Sequence, residues 1–174
     1  GMFAFALFDA ADQSLFLARD RFGVKPLFHT TLPDGTIAFA SELKGLLTLP
    51  QLRVTAQLTA VEDFMAYGFV PDDNCIVAGV QKLAAGHYLH IRRGLPVPAP
   101  VQWWDIDFTR RITVKAKEAE EHLVELLRAA VRSRMVADVP LGAFLSGGVD
   151  SSAVVALMAE ASTKAVNSCA IGFD

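Results

Sequence analysis

The sequence of 174 residues predicts an α+β chain in two parts, a β-rich first part followed by the start of an α/β domain. Up to residue 91 the apolar residues come in short runs separated by turn residues, which is typical of strands. From residue 116 onward they recur at helical spacing. Residues 92–100 (RRGLPVPAP) hold three prolines between these patterns and favour an extended connection. We therefore expect a first domain over 1–97, a linker over 98–112 and a second domain over 113–174.

Two β-hairpins are predicted near the beginning of the chain. The apolar runs 2–8 and 14–18 flank a polar turn and form the first hairpin. Runs 27–31 and 36–40 form the second, around the turn sequence LPDGT. Proline presets φ for such a turn, and Asp-Gly tolerates positive φ. Short antiparallel pairs therefore account for the beginning of the first part.

Two helices and a further strand follow the hairpins. Residues 41–47 predict a short helix with Ser41 as its N-cap, because a serine side chain can accept a hydrogen bond from the first helical turn. Residues 59–67 predict a second helix, which ends at Gly68. Residues 86–91 (GHYLHI) alternate between apolar and polar side chains and predict a strand.

The second part predicts helices that alternate with parallel strands. Residues 116–135 form an amphipathic helix that packs on one side. Residues 141–145 (LGAFL) predict a buried parallel strand, and 153–161 predict a second helix. Residues 165–173 predict the next strand. This order opens an α/β domain, since parallel strands require a crossover helix between them.

Composition and charge exclude several classes of protein. Hydrophobic residues make up 52% of the chain and charged residues 20%, which excludes a disordered chain. The net charge of −3 leaves no electrostatic footprint for nucleic acid. No apolar run reaches the roughly 18 residues that span a bilayer, so we expect no membrane partner. The two cysteines, far apart in the sequence, favour a reducing cytoplasm over a disulfide framework.

The sequence SGGVDSS at 146–152 is the strongest functional signal. It joins a predicted strand to a helix N-terminus, where unpaired N–H groups and the helix dipole favour an anion. Gly147 and Gly148 let the backbone approach a ligand closely. Asp150 fits either as a helix cap or as a ligand of Mg²⁺ between it and the phosphates. The alternative is an ordinary glycine-rich turn between a strand and a helix.

The same stretch carries a family resemblance. SGGVDSS resembles the pyrophosphate loop (PP-loop) of the ATP-pyrophosphatase families. Together with DVPLGAFL before it, the loop resembles glutamine-dependent asparagine synthetase. Four segments of the first part resemble that family's glutaminase domain in the same order: GMFAFALFD, RDRFGVKPLF, FASELKGLL and LAAGHYL.

The resemblance implies a fold and a mechanism. Residues 1–97 would be the C-terminal part of an N-terminal-nucleophile (class II) glutaminase, and 113–174 the beginning of a PP-loop synthetase domain. The small-molecule substrates would be glutamine, ATP and aspartate. In that family ammonia released from glutamine displaces AMP from an aspartyl-adenylate whose formation needs ATP and Mg²⁺. The loop would hold the departing pyrophosphate.

The resemblance also supplies candidate site residues. The positions that match the loop or lie beside the adenosine would bind ATP: Leu145, Ser146, Gly147, Gly148, Asp150, Ser151, Ser152 and Ile171. Asp150 would also meet the metal ion. For Leu145 and Ile171, core packing is the alternative.

No catalytic residue is expected within the chain. The family's nucleophile is an N-terminal cysteine, which we expect upstream of Gly1, and the second synthetase motif is expected beyond Asp174. The chain is therefore interpreted as an internal fragment that is inactive alone. We interpret Cys75 as a bystander, Cys169 as a core residue and Asp20 as a structural ion-pair or capping group.

Two alternatives stay open at this stage. One is a related PP-loop amidotransferase with another substrate, such as a β-lactam synthetase or a cell-envelope amidotransferase. The other is a truncated, non-catalytic module that binds nucleotide or a partner. Under the main interpretation as well as under these alternatives we expect a homo-oligomer, since half domains expose apolar faces.

Overall fold

The computed structural model describes residues 1–72 and 74–172, and the chain divides into two compact units, Gly1–Phe108 and Thr109–Asp174. The described residues of the first unit form seven strands and two helices: β1 Ala4–Asp9, β2 Ser14–Arg19, β3 Phe28–Thr31, β4 Ile37–Ala40, α1 Leu43–Leu46, α2 Leu58–Tyr67, β5 Val80–Lys82, β6 His87–Arg92 and β7 Val101–Gln102. The second alternates helices and strands: α3 Ala116–Arg134, β8 Gly142–Phe144, α4 Val149–Ala161 and β9 Asn167–Cys169. The predicted fold class, with a β-rich part before an α/β part, is confirmed.

An antiparallel sheet in the order β1-β2-β6-β7 contains the first predicted hairpin and the predicted strand at 86–91. Its central register places Leu17 opposite both Ala6 and Leu89. One face of the sheet covers a core of fully or almost fully buried residues: Leu17, Leu27, Leu83, Leu89 and Ile91. The alternating pattern of residues 86–91, which predicted β6, thus follows from having one face of the sheet buried.

A second antiparallel sheet, in the order β4-β3-β5, contains the other predicted hairpin. It packs over a separate core formed by Leu46, Cys75, Val77 and Val80. β5 and β7 were not predicted, because strands of three and two residues are too short for a recognisable alternation. β7 lies inside the predicted linker.

The predicted helix boundaries in the first unit are partly correct. α2 ends at Gly68, whose φ of 77° is the left-handed conformation that glycine adopts without strain. The predicted N-cap Ser41 is wrong: α1 is capped by Glu42, and no side chain accepts a hydrogen bond there. A helix of four residues is held by its packing, with Leu46 buried, and needs no cap to form.

Asp20 is buried within the first unit, with 1% of its surface exposed. Its carboxylate accepts hydrogen bonds from four backbone N–H groups at 3.0–3.2 Å: those of Phe3, Phe22, Val24 and Lys25. Burial raises the pKa of this carboxyl, but the four donors outweigh burial, and the net pKa lies below its ordinary value. The structural role predicted for Asp20 is confirmed.

Arg19, beside Asp20 in the sequence, is also buried. Its guanidinium donates to the carbonyls of Lys25, Gly23 and Leu83 at 2.7–2.9 Å and pairs with Asp72 at 2.7 Å. Buried charges are tolerated when their donors are satisfied in this way. Arg19 and Asp20 together hold the segment that follows β2.

In the second unit, β8 and β9 are parallel, as predicted, with Phe144 opposite Cys169. α3 contacts α4, and Arg128 pairs with Glu160 between them at 2.8 Å. Two predictions of burial are wrong: Phe144 is 77% exposed, and Cys169 is exposed. A sheet of two short strands buries too little surface to cover these side chains.

Two further differences concern the extent of packing in this unit. α3 spans the predicted residues but packs incompletely, since Leu123 and Leu126 remain more than half exposed. β9 covers only Asn167–Cys169 of the predicted strand, whose last residue, Phe173, lies outside the described residues.

Among the helices of the described chain, none is long and apolar enough to cross a bilayer.

Candidate functional site

The SGGVDSS loop lies between the end of β8 and the first turn of α4. Leu145, just before it, donates its N–H to the carbonyl of Cys169 in β9 at 2.8 Å. α4 begins at Val149 with Gly148 as N-cap, whereas the sequence predicted a start at residue 153. The difference arises because aspartate and serine are as compatible with the first turn of a helix as with a loop. Asp150, Ser151 and Ser152 are therefore helical residues.

Gly147 makes the turn between strand and helix. Its φ of 81° lies in the left-handed region, where a residue with a side chain would be strained. A Cβ added to Gly147 would meet nothing within 4 Å, so the space beside this backbone is open. The glycine is required here by conformation and leaves the loop accessible to a ligand.

The three serine hydroxyls of the loop form a local network. The Oγ atoms of Ser146 and Ser151 lie 3.0 Å apart. Ser151 and Ser152 both donate their hydroxyls to the carbonyl of Gly148, at 3.1 and 2.8 Å. The network ties the loop to the start of α4. It also means that a ligand would have to compete with Gly148 for these two hydroxyls.

The N-terminus of α4 has the properties of an anion site. No side chain in the described part of this unit caps it, and Gly148 and Val149 are exposed, so the first-turn N–H groups are accessible. Helix N-termini with free N–H groups carry partial positive charge and bind phosphate. The arrangement therefore fits a phosphate group.

Asp150 is exposed in the first turn of α4. A carboxylate would repel a bare phosphate, but Mg²⁺ is commonly bound by one or two carboxylates together with substrate phosphates. No cluster of three or more acidic, histidine or cysteine side chains suited to a metal occurs in the described part of the chain. The chemistry of this site thus fits a metal ion that arrives with the phosphates.

Leu145 and Ile171 lie at the same edge of the two-stranded sheet, because each follows the carboxyl end of a parallel strand. Leu145 is partly buried, whereas Ile171 is 74% exposed. Ligands of open parallel sheets bind at this edge. The loop, Leu145 and Ile171 thus lie on one side of the unit, and the exposure of Ile171 argues against core packing for that residue.

A cavity of about 480 Å³ lies at the opposite end of the same strands. It is lined by residues before β8 and before β9, including Asp138 and Lys164. It contains none of the loop residues. The loop has accessible N–H groups that suit a phosphate, and it lies at the carboxyl end of the parallel strands, where ligands of such sheets bind. Both properties favour the loop over this cavity as the candidate site.

Cys75, the first unit's cysteine, is 3% exposed and belongs to the core beneath the second sheet. A thiol in such surroundings is a packing group, since nucleophilic cysteines are partly exposed and lie near positive charge. This agrees with its interpretation as a bystander.

Comparison with protein families identifies both parts of the chain. Residues 1–104 match the family model described as glutamine amidotransferase domain. The chain belongs to the glutamine amidotransferase family. Residues 122–174, which contain the loop, match the family model described as asparagine synthase. The order of the two matches is the order that the resemblance implied.

Individual relatives of this amidotransferase chain agree. A Methanocaldococcus jannaschii protein with a provisional asparagine synthetase name is 38% identical over 178 residues, 100% of the chain and 34% of the relative. Asparagine synthetase 1 of Bacillus subtilis is 37% identical over 92% of the chain and 25% of its own length. Amidase chyE of Penicillium rubens is 34% identical over 92% and 23%. The chain spans about a quarter to a third of the relatives it matches.

Sequence reasoning missed two groups that shape this part of the amidotransferase chain. The carbonyl of Cys169 fixes the start of the loop through Leu145, and the Arg128–Glu160 pair joins the two helices. Neither has a signal in the sequence, because the partners are 24 and 32 residues apart. Only the parallel register and the helix packing bring them together.

Proposed function

We propose that this chain is part of a glutamine-hydrolysing asparagine synthetase. The whole protein would release ammonia from glutamine and use ATP to convert aspartate to asparagine through an aspartyl-adenylate. The observation that carries the proposal is an accessible helix N-terminus behind a left-handed glycine, in a segment that matches the asparagine synthase family. The relatives' names support aspartate as the acceptor.

In this proposal the residues around the loop divide the work of binding ATP. The N–H groups at the start of α4, with Gly147 and Gly148, hold the pyrophosphate, and Ser146, Ser151 and Ser152 keep the loop in shape. Leu145 and Ile171 contact the adenosine. Asp150 meets Mg²⁺, which when bound neutralises charge on the phosphates. These roles give the chain a place in the activation of a carboxylate, which is a poor electrophile without a good leaving group.

The domain organisation belongs to the same proposal. Residues 1–97 form the C-terminal part of a class II glutaminase domain, 98–112 a linker and 113–174 the N-terminal part of the synthetase domain. The change from an antiparallel to a parallel sheet supports this division. Glutamine, ATP and aspartate are the proposed small-molecule partners, and the cytoplasm is the proposed location.

A second candidate is an amidotransferase of the same type with another acceptor. The 34% identity to a relative named as an amidase supports it. Both candidates use the loop in the same way, so the acceptor distinguishes them. Asparagine formation is specific to the first.

Titration calorimetry with MgATP and with pyrophosphate tests the nucleotide site. We expect both to bind the chain, because the α4 N-terminus is open. Asp150→Asn should remove the dependence of pyrophosphate binding on Mg²⁺, and Gly147→Ala should weaken both ligands by straining the turn. Gly94→Ala is the matched control, since Gly94 also has positive φ but lies in the first unit. Binding that is unchanged in both loop variants would refute the assignment.

A chimera tests the activity. Residues 1–174 would replace the matched segment of the Bacillus subtilis enzyme, which is 37% identical. We expect asparagine formation from aspartate, ATP and ammonia, and its loss in the chimera carrying Asp150→Asn. A folded chimera that binds MgATP but forms no asparagine would contradict the proposed asparagine-forming activity.

A further inference from the structure

Gly142, the first residue of β8, occupies a position where glycine is unfavourable. Strands are depleted in glycine, and a glycine inside a strand lowers stability relative to alanine. Its backbone is outside the left-handed region that favours glycine. A strand glycine often marks a place where another backbone approaches closely. The reason for this glycine therefore lies in its neighbour across the sheet.

That neighbour is Asn167 in β9. A Cβ added to Gly142 would lie 3.3 Å from the carbonyl oxygen of Asn167 and 3.8 Å from its Cβ. The first distance is shorter than an ordinary van der Waals contact, and the atom it reaches belongs to the backbone, which cannot turn aside as the end of a long side chain can. A side chain at Gly142 would therefore push the backbone of β9 away from β8 by a few tenths of an ångström.

The spacing between β8 and β9 reaches the SGGVDSS loop through one hydrogen bond. The parallel register begins with Gly142 opposite Asn167 and ends with Phe144 opposite Cys169. The next residue, Leu145, donates its N–H to the carbonyl of Cys169 at 2.8 Å, directly before the loop. Pairing over so few residues leaves little other bonding between the two strands to absorb a displacement. A change of spacing at Gly142 therefore acts on the bond that holds the start of the loop.

We propose that Gly142 is a positioning residue for the pyrophosphate site: because it has no side chain, β8 lies close enough to β9 for Leu145 to fix the start of the loop. This inference rests on the proposed function, since it concerns how the loop holds the pyrophosphate of ATP. Gly142 acts through the bond between Leu145 and Cys169 and not by contact with the ligand. Binding groups must be held within about 0.5 Å of their productive geometry, so a displacement of a few tenths of an ångström is enough to weaken binding.

Gly142→Ala separates this role from local strand propensity, because the two effects have opposite signs. Propensity alone would strengthen β8, since alanine is a better strand residue than glycine. Crowding against Asn167 would weaken the pairing instead. We expect the amide of Leu145 to exchange with deuterium about fivefold faster in the variant, measured by NMR without nucleotide, as is usual when one backbone hydrogen bond is weakened. The amide of Val131 in α3 should keep its wild-type rate, which shows that the unit stays folded.

Titration calorimetry with pyrophosphate and Mg²⁺ measures the consequence for the loop. We expect the dissociation constant of pyrophosphate to rise about threefold to tenfold in Gly142→Ala. Gly172→Ala is the matched control. Gly172 lies in the same unit, also has a backbone outside the left-handed region, and an added Cβ there would meet nothing within 4 Å. This control should leave both the exchange of the Leu145 amide and the binding of pyrophosphate at wild-type values.

Four results would overturn the role of Gly142. They are unchanged or slower exchange at Leu145, faster exchange with unchanged pyrophosphate binding, an equal effect of Gly172→Ala, and faster exchange at Val131 as well, which would mean a general loss of the fold. A wild-type chain that binds no pyrophosphate would contradict the proposed function instead. The exchange at Leu145 needs no ligand and would still decide whether Gly142 sets the spacing of the strands.

Discussion

At the scale of single residues, Gly86 combines two constraints. Its φ of 65° is left-handed, and its carbonyl accepts the N–H groups of Trp103 and Trp104 at 2.8 and 3.2 Å. A Cβ on Gly86 would collide with the carbonyl oxygen of Trp104. The glycine therefore allows the chain after β7 to approach the start of β6. The two tryptophans lie within the predicted linker, but this contact fixes them to the first unit.

Gly86→Ala should destabilise the first unit by about 3 kcal/mol, the sum of backbone strain and the collision with Trp104. Gly35→Ala is the matched control. Gly35 has a φ of 83°, but an added Cβ would have nothing within 4 Å, so strain alone acts there, at about 1 kcal/mol. Chemical denaturation measures both. Equal losses of stability in the two variants would mean that the backbone at Trp104 moves away from the added Cβ without a cost in free energy.

Asp20→Asn should destabilise the chain by about 3 kcal/mol, because an amide cannot accept hydrogen bonds at both of its terminal atoms. In the wild type, the lowered pKa of Asp20 makes the folded state bind this proton more weakly than the unfolded state. The contribution of Asp20 to the stability of the folded chain is fully present when the pH is above 3.8, the ordinary pKa of an aspartate. It is lost as the pH falls through the lower pKa of the folded state. Urea denaturation between neutral pH and pH 3 should show this loss in the wild type and a smaller one in the variant.

His29 gives a second pH dependence. It is 5% exposed, its Nε2 atom has no hydrogen-bond partner among the described residues, and burial lowers its pKa below the ordinary 6.5. The unfolded chain therefore binds a proton that the folded chain does not, and stability falls as the pH drops below about 6.5. His29→Gln should reduce the difference in stability between pH 7.5 and pH 5. The exposed-site control His122→Gln should leave it unchanged.

At the scale of secondary-structure elements, the sequence located the main helices and the paired strands, since their apolar periods extend over enough residues to be distinctive. The shortest strands and the start of α4 were not located. Turn-like residues such as Asp150 and Ser151 form the first turn of α4, and their conformation depends on where β8 directs the chain. Local propensity does not distinguish a loop from the first turn of a helix at such residues.

The packing of α3 on α4 depends partly on the ion pair between them. Arg128 meets both carboxylate oxygens of Glu160, at 2.8 and 3.3 Å, and this bond lowers the pKa of Glu160. Glu160→Gln should lower the melting temperature of the chain slightly at low salt and have no effect at high salt, because exposed pairs are screened. Glu62→Gln, at an exposed position in the middle of α2, is the control. A salt-independent loss in Glu160→Gln would indicate a packing role instead.

At the scale of the whole molecule, the two compact units meet in sequence at Phe108 and Thr109. The residues between β7 and α3 form no helix or strand, and Arg110 and Arg111 among them are exposed. Trypsin should therefore cut first at these arginines and release two fragments. The triple variant Arg110→Gln, Arg111→Gln, Lys115→Gln, which also removes the exposed lysine of this segment, should slow this first cut at least tenfold at equal enzyme. An earlier cut at Arg93 would contradict the prediction, since its backbone N–H is hydrogen-bonded to Gln13.

Periodicity and motif were sufficient for the fold class, the order of the main elements and the position of the loop. These follow from apolar spacing and from residues that favour a particular backbone conformation, both of which act over a few neighbouring positions. The donors around Asp20, the collision at Gly86 and the exposure of Phe144 and Cys169 required the tertiary structure. Burial and hydrogen-bond partnership depend on which distant segments meet, and that is decided by packing over the whole unit.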